Sequence, residues 1–383
     1  MMPKRMLLLA TLLAAALALP CCTREQAAPA PTPAPQPQPT PAVVVTTPTV
    51  NTPTAVATPA TEVPDNPVSY RVGLVTDGGK VDDGSLSQGA YQGVQRAAEE
   101  LNLDFNAIES AQPGDFAANI ETFVSAGYDM IVTVGPLLGE TTRAMAETYP
   151  DVNFVAVDVA FEAAPDNLMG LVFREDQVGF LAGALAGLIS ESQTVGIVAG
   201  MDSPATRRLR SGYESGVRHV CAECAVLTMA IDSSTDPARG RTAALSQTAE
   251  GADVIFGVGG PTGSGAVLGA AQQGVWAIGV DQDEYYTTFE GGAVSGADRL
   301  LSSAVKRADN AVYNVVKEAV LGGLSPGSQL FDASSAGVGL APFHDAESAV
   351  SDEIKEKLAE VLRMLASGEL DTGVDPVSGE QLR

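Results

Sequence analysis

From Arg71 to Val280 short apolar runs alternate with stretches of helical periodicity, which restricts the chain to an α/β fold built on parallel strands. The first unit displays the pattern. Val72, Leu74 and Val75 form an apolar run closed by the turn sequence Asp77-Gly78-Gly79. Leu86, Ala90, Tyr91, Val94, Ala97, Ala98 and Leu101 then fall at helical spacing, with Ser85 as the predicted N-cap. Loops at the carboxyl ends of strands are where open α/β sheets hold ligands. This one gathers Asp77, Asp82, Asp83, Ser85 and Ser87. Asp77 has two readings, a ligand-facing carboxylate and a cap of its own turn.

The predicted strands are 71–76, 103–108, 130–134, 153–157, 168–173, 194–199, 225–231, 253–258 and 276–280. Helical periodicity covers 115–126, 139–148, 177–190, 204–220 and 237–250. So many strands suit two sheets better than one, with a break after Phe173. The Gly- and Ala-rich helix 177–190 is expected to pack between the two halves. It is too short to span a membrane and is flanked by Glu175, Asp176 and Glu191, which favours a buried helix. The segment SDEIKEKLAEVLRML, 351–365, reads as an amphipathic strut on the outside.

With 383 residues the chain has room for two domains and extensions. A formal charge of -25, from 47 acidic and 22 basic residues, excludes a phosphate-binding basic surface and hence nucleic acid as a partner. Lys4 and Arg5 precede the apolar run 6–19, which suits a signal segment, and Cys21 and Cys22 follow it. A cysteine at the end of such a run resembles the lipobox of bacterial lipoproteins, which implies a lipoprotein signal over residues 1–22 with Cys22, three residues after Leu19, as the lipidation site and Cys21 as the alternative; a secretory signal without lipid and an uncleaved anchor stay open. From 23 to 67 a Pro- and Thr-rich tract cannot bury a core and reads as an extended tether.

Catalytic equipment is sparse. The two histidines, His219 and His344, sit beside no nucleophile in a strand-to-helix turn, and no Walker loop, nucleophile elbow or His-Glu-x-x-His occurs. Cys221 and Cys224 lack a second pair to complete a zinc site, and read as a small disulfide or as two thiols. No enzyme, cofactor or metal is expected. GVGGPTGSG, 257–265, departs from a dinucleotide fingerprint and reads as backbone approaching a ligand, or as a plain tight turn. Polar groups at predicted strand ends remain: Asp77, Asp158, Gly259 and Gly260, and Asp281. Carboxylates at equivalent strand ends suit an uncharged ligand rich in hydrogen-bond donors.

In VTDGGKVDDGSLSQGAYQG, VTVGP, YPDVNFVAVD, EDQVGFLAGALAG, DPARGRTAALSQ, GADVIFGVGG, AIGVDQDEY, SAVKRADNAVY and GVGLAPFHDAE, taken in order, the chain resembles the basic membrane protein, or PnrA-like, family of substrate-binding lipoproteins serving nucleoside importers of the ATP-binding cassette (ABC) class. The resemblance implies a type I periplasmic-binding-protein architecture: two Rossmann-like lobes joined by three crossovers and closing on ligand. Lobe one would comprise 68–173 and 282–321, lobe two 174–281 and 322–345, and 346–383 a C-terminal helix and tail. It further implies a monomeric, lipid-anchored, extracytoplasmic receptor for a nucleoside, with ABC permease subunits as partners. Asp77 would face the base, while Asp158, Gly259 or Gly260, Asp281 and Lys306 would hold base or ribose. Lys306 also has the reading of a surface helix lysine.

The family pattern has aromatic residues at the positions of Leu86 and Ser234, and an asparagine at that of Ser87. Stacking on such aromatics is worth about 1–3 kcal/mol per base. A purine nucleoside is thus favoured by the overall likeness but not by these positions. Tyr91, Tyr285, Tyr286 and Phe289 are the candidates to compensate. A sugar or other small polar metabolite, and a sensor or adhesin without transport, are the alternatives.

Overall fold

The computed structural model describes residues 70–82 and 86–382. The signal segment with Cys21 and Cys22, the tether, and Ser85 as an N-cap lie outside the described residues.

The first sheet has the order β11-β5-β4-β3-β1-β2. Its strands are β1 (Arg71–Thr76), β2 (Asp104–Glu109), β3 (Met130–Val134), β4 (Asn153–Val157), β5 (Leu168–Phe173) and β11 (Gly327–Phe331). The second has the order β12-β10-β9-β8-β6-β7. It contains β6 (Thr194–Ala199), β7 (Ala225–Ala230), β8 (Val254–Val258), β9 (Trp276–Asp281), β10 (Leu300–Lys306) and β12 (Val338–Leu340). All pairings are parallel except β10 with β12. Strands covered on both faces need no polar alternation, which is why MIVTV in β3 and VIFGV in β8 are buried throughout. The two orders correspond strand for strand, so β4 of one lobe matches β9 of the other.

The helices are α1 (Leu86–Leu101), α2 (Phe116–Ser125), α3 (Gly139–Thr148), α4 (Glu175–Ile189), α5 (Pro204–Val220), α6 (Pro237–Ala249), α7 (Pro261–Ala271), α8 (Glu284–Thr287), α9 (Ala308–Gly322) and α10 (Asp352–Ser367). In lobe one, α1 and α9 cover the sheet, with Ala90, Val94 and Ala97 sharing a core with Val312, Val315 and Val316. In lobe two, α4 is buried among the second sheet, α5 and α10. A Cβ on Gly183 would stand 2.1 Å from the Tyr213 carbonyl oxygen, so the α4–α5 contact depends on bare backbone there. The expectation that this helix packs between the halves is corrected: its apolar surface is consumed within lobe two. The strut reading of α10 is refined by an apolar stripe of Leu358, Val361 and Leu365 that joins the same core.

The expected lobe boundaries also change. The resemblance places residues 300–306 in lobe one, yet β10 pairs with β9 and β12 of the second sheet. It places residues 327–331 in lobe two, yet β11 pairs with β5 of the first. The chain therefore crosses between sheets at Phe173–Arg174, Lys306–Arg307 and Phe331–Asp332. Sequence periodicity missed β10 because Ser302, Ser303 and Lys306 interrupt its apolar run, although the whole strand is buried. At the crossovers Arg174 N donates to Phe331 O at 2.9 Å and Arg307 N to Gly337 O at 2.8 Å. Arg174 and Arg307 each form a two-bond pair with the aspartate two residues on, Asp176 and Asp309.

Candidate functional site

The carboxyl ends of the strands in both sheets converge on a cavity of about 890 Å³. Asp77, Leu86, Ser87, Asp158, Ser234, Gly260, Asp281 and Lys306 all line it. Gly259 does not. It turns toward the neighbouring loop, where a Cβ would stand 2.8 Å from Gly200 N, so of the two glycines only Gly260 presents backbone to the cavity. Gly259 and Gly260 both have positive φ and form the tight turn into α7.

Asp158, just after β4, and Asp281, at the end of β9, occupy corresponding positions of the two sheets. Both hold the left-handed conformation, φ 65° and 66°. Aspartate is among the few side-chain-bearing residues that tolerate it. The turned backbone brings the two carboxylates to one lysine: Lys306 Nζ lies 3.0 and 3.2 Å from the Asp158 oxygens, 3.4 Å from Asp281 Oδ1 and 3.5 Å from Glu175 Oε1. Lys306 is 9% exposed and ends β10, which excludes a surface helix lysine. Burial alone would lower its pKa, but Asp158, Asp281 and Glu175 outweigh burial and raise it well above the ordinary lysine value. The ammonium donates to both Asp158 oxygens and stands within ion-pair distance of Asp281 and Glu175. Lys306 thus neutralises the site's acids rather than offering a free donor to a ligand.

The ligand-facing polarity is therefore mostly that of acceptors. Asp281 Oδ1 is buried and makes no well-formed hydrogen bond, whereas the side chain as a whole is 40% exposed toward the cleft. Burial raises its pKa, opposed by Lys306. Asp77 lies against Gly135, where a Cβ would collide with its carboxylate, and Oδ2 accepts from Leu137 N at 3.3 Å. It lines the cavity, and the turn it caps is the Leu137 turn after β3 rather than its own. Its pKa is raised by burial and by the charge of Asp158, against the pull of the Leu137 N–H. Ser234 Oγ accepts from Met201 N at 3.3 Å.

Aliphatic and proline side chains supply the apolar lining, chiefly Leu86, Leu137, Leu268, Pro136, Pro237 and Pro261. None of the compensating aromatics lines this cavity. Phe289 is in the core, Tyr91 packs on Phe105, and Tyr285 stacks on His344 with centroids 4.0 Å apart. Tyr286 lines an adjoining cavity of about 810 Å³ that shares Leu86, Asp281, Gln282 and Lys306 with the first.

Sequence reasoning missed Glu284, which also lines the larger cavity and is 1% exposed. It lies in the polar run DQDEYY, where no local pattern marks it as buried, and its carboxyl reaches Val280 N of β9. Burial pushes its pKa up to about 7, against hydrogen bonds from Thr288, Val280 N–H and Ser264, with the Asp281 charge adding to the rise. Cys221 and Cys224 form a disulfide, and the His219 ring lies beside Phe180 with centroids 5.5 Å apart. Among the described residues no group of His, Cys, Asp and Glu is arranged to hold a metal, and no helix is long and apolar enough to cross a membrane.

Residues 70–370 match the family described as ABC transporter substrate-binding protein PnrA-like. The CD4+ T-cell-stimulating antigen of Listeria monocytogenes is 27% identical over 325 residues, which are 80% of this chain and 89% of that protein. The ABC transporter nucleoside-binding protein BmpA of Lactococcus lactis is 26% identical over 307 residues, covering 76% and 87% respectively. A crystal structure of an ABC transporter solute-binding protein from Aeropyrum pernix superimposes with a TM-score of 0.62 at 26% identity, covering 79% of this chain and 92% of that one.

Proposed function

Because the chain belongs to the PnrA-like family of ABC transporter substrate-binding proteins, we propose that it captures a nucleoside in the cleft between its lobes and delivers it to a membrane permease. The family consists of binding proteins, not enzymes. The observation that carries the ligand reading is the pair Asp158 and Asp281, one from each sheet, presented to a single cavity with Lys306 between them. Carboxylates contributed by both lobes and held ready to accept hydrogen bonds suit ribose hydroxyls, and a ligand bridging them would favour lobe closure. Asp77, Ser87, Ser234 and Gly260 would complete the shell, with Leu86 giving apolar contact to the base. Likeness to a protein named as nucleoside-binding adds support.

In this reading the receptor is extracytoplasmic and monomeric. A lipid on Cys22, or on Cys21, anchors it, the tract 23–67 is the tether, and ABC permease subunits are its partners. Exchange of Cys22 for Ala should leave a protein without lipid mass; a lipid that persists would shift the anchor to Cys21.

A second reading, a sugar or other small polar metabolite, is favoured by the lack of any aromatic side chain among those lining the larger cavity. Titration calorimetry of the full chain against adenosine, guanosine, inosine, cytidine and uridine, with ribose and galactose in parallel, separates the two. Binding of at least one nucleoside with sugars inert is expected; binding of sugars alone overturns the nucleoside assignment.

A further inference from the structure

Glu284 is an acid enclosed in the wall of the cleft. Gly279 makes room for it: a Cβ there would stand 2.8 Å from Glu284 Cγ. One carboxylate oxygen accepts from Val280 N at 3.3 Å, the other from the Thr288 hydroxyl at 2.7 Å, and the Ser264 hydroxyl also bonds to the side chain. Its own N–H reaches Ser303 Oγ at 3.0 Å. Ser264 and Thr288 line the cavity, and Val280 N–H immediately precedes the left-handed turn at Asp281. The carboxyl therefore braces three features of the ligand wall at once.

We propose that Glu284 is a positioning residue of the cleft which takes up a proton when ligand binds, so that capture is linked to pH. The groups facing it are Asp281 from β9, with Lys306 of β10 and its partners Asp158 and Glu175 beyond, the hydroxyls of Ser264, Ser303 and Thr288, and Asp283 on its own element, itself paired with His344 at 2.8 Å. Among the described residues these surroundings bring no cation into contact with the carboxyl. A ligand that displaces water from the larger cavity, which Glu284 lines, lowers the polarity around the ionised form further. The bound state thus favours the protonated acid, and by linkage ligand affinity falls as the pH rises through the titration of Glu284. With a pKa of about 7 that range is the neutral one.

The ligand arm of the inference rests on the nucleoside reading; a second arm does not. Calorimetry of the full chain with the five nucleosides at pH 6 and pH 8, in two buffers of different ionisation enthalpy, should show proton uptake on binding and about five-fold weaker affinity at pH 8. Glu284→Gln should remove both. Thr288→Val, which deletes a hydrogen bond to the ionised form, should move the loss of affinity to higher pH and serves if the first variant does not fold. Equal affinities at both pH values in the wild-type chain, or a pH dependence that survives in Glu284→Gln, overturn the proposal. If no nucleoside binds, the nucleoside reading fails and thermal unfolding without ligand decides for Glu284. The wild type should then lose several degrees relative to Glu284→Gln between pH 5 and pH 8; coincident profiles overturn the proposal.

Discussion

Replacing Lys306 by Met tests the electrostatic centre of the cleft most directly. The ammonium stands within 3.5 Å of carboxylates from Asp158, Asp281 and Glu175; Glu175 keeps Arg208 Nε at 2.9 Å, so Lys306→Met strands the Asp158 and Asp281 carboxylates side by side. Removing one partner of a buried ion pair costs about 3–5 kcal/mol, mainly through the stranded charge. Asp158 and Asp281 are 22% and 40% exposed to the cleft, which puts the cost at the low end, about 3 kcal/mol. At about 2 °C per kcal/mol for a protein of this size, the melting temperature should drop by about 6 °C. The pH dependence identifies the cause. Lys306 has a pKa raised above that of an unfolded-state lysine, so its contribution is fully present at pH 4.5 and pH 7.5 alike and is lost only in strong alkali. Any change between those two values must come from the carboxylates. Burial raises the Asp281 pKa and Lys306 opposes it, so without the ammonium Asp281 protonates more readily, and the stability gap between variant and wild type should narrow at pH 4.5. Urea unfolding followed by circular dichroism at both pH values measures it. A variant within about 1 kcal/mol of wild type at pH 7.5, or a gap that does not narrow in acid, would refute the account of Lys306 as neutraliser.

Other substitutions probe different parts of the molecule. Asp281→Asn keeps the side-chain shape and tolerates φ 66°, so the protein should fold while nucleoside affinity measured by calorimetry drops about ten-fold or more, the worth of a charged hydrogen bond; unchanged affinity would remove Asp281 from the ligand set. Gly183→Val drives a side chain into the Tyr213 carbonyl and should cost about 3 kcal/mol in chemical denaturation, whereas Gly114→Ala, with open space around it, should be neutral; equal stability of the two would contradict the α4–α5 packing. Reduction of Cys221–Cys224 opens a very short loop and should lower stability by about 2 kcal/mol at most, read as a shift in thermal unfolding matched by a double Cys→Ser variant.

Much of the architecture was legible before any coordinates. Buried parallel strands require unbroken apolar runs, so VGLV, MIVTV, NFVAV and VIFGV announced themselves, and their number suited two sheets better than one. Strands β10, β11 and β12 were not legible, because LLSSAVK and GSQLF mix polar and apolar residues and their burial follows from neighbours distant in sequence. The lobe boundaries were misread for the same reason: which sheet a late strand joins is set by hydrogen-bond partners, such as β9 for β10, that local periodicity does not encode.

The site divides along the same line. Asp77, Asp158 and Asp281 could be named from sequence because a carboxylate directly after an apolar run is a local pattern, and the strand it follows fixes the end of the sheet at which it emerges. What those carboxylates do to one another was decided only in three dimensions. Lys306 and Asp158 are 148 residues apart, and their ion pair exists because a late crossover strand delivers the lysine to the midpoint between two lobes. Glu284 carries no mark of burial in the polar run DQDEYY and is enclosed in the fold, where desolvation rather than composition raises its pKa. Periodicity depends on near neighbours along the chain; solvation and charge pairing depend on near neighbours in space, and only the tertiary structure supplies those.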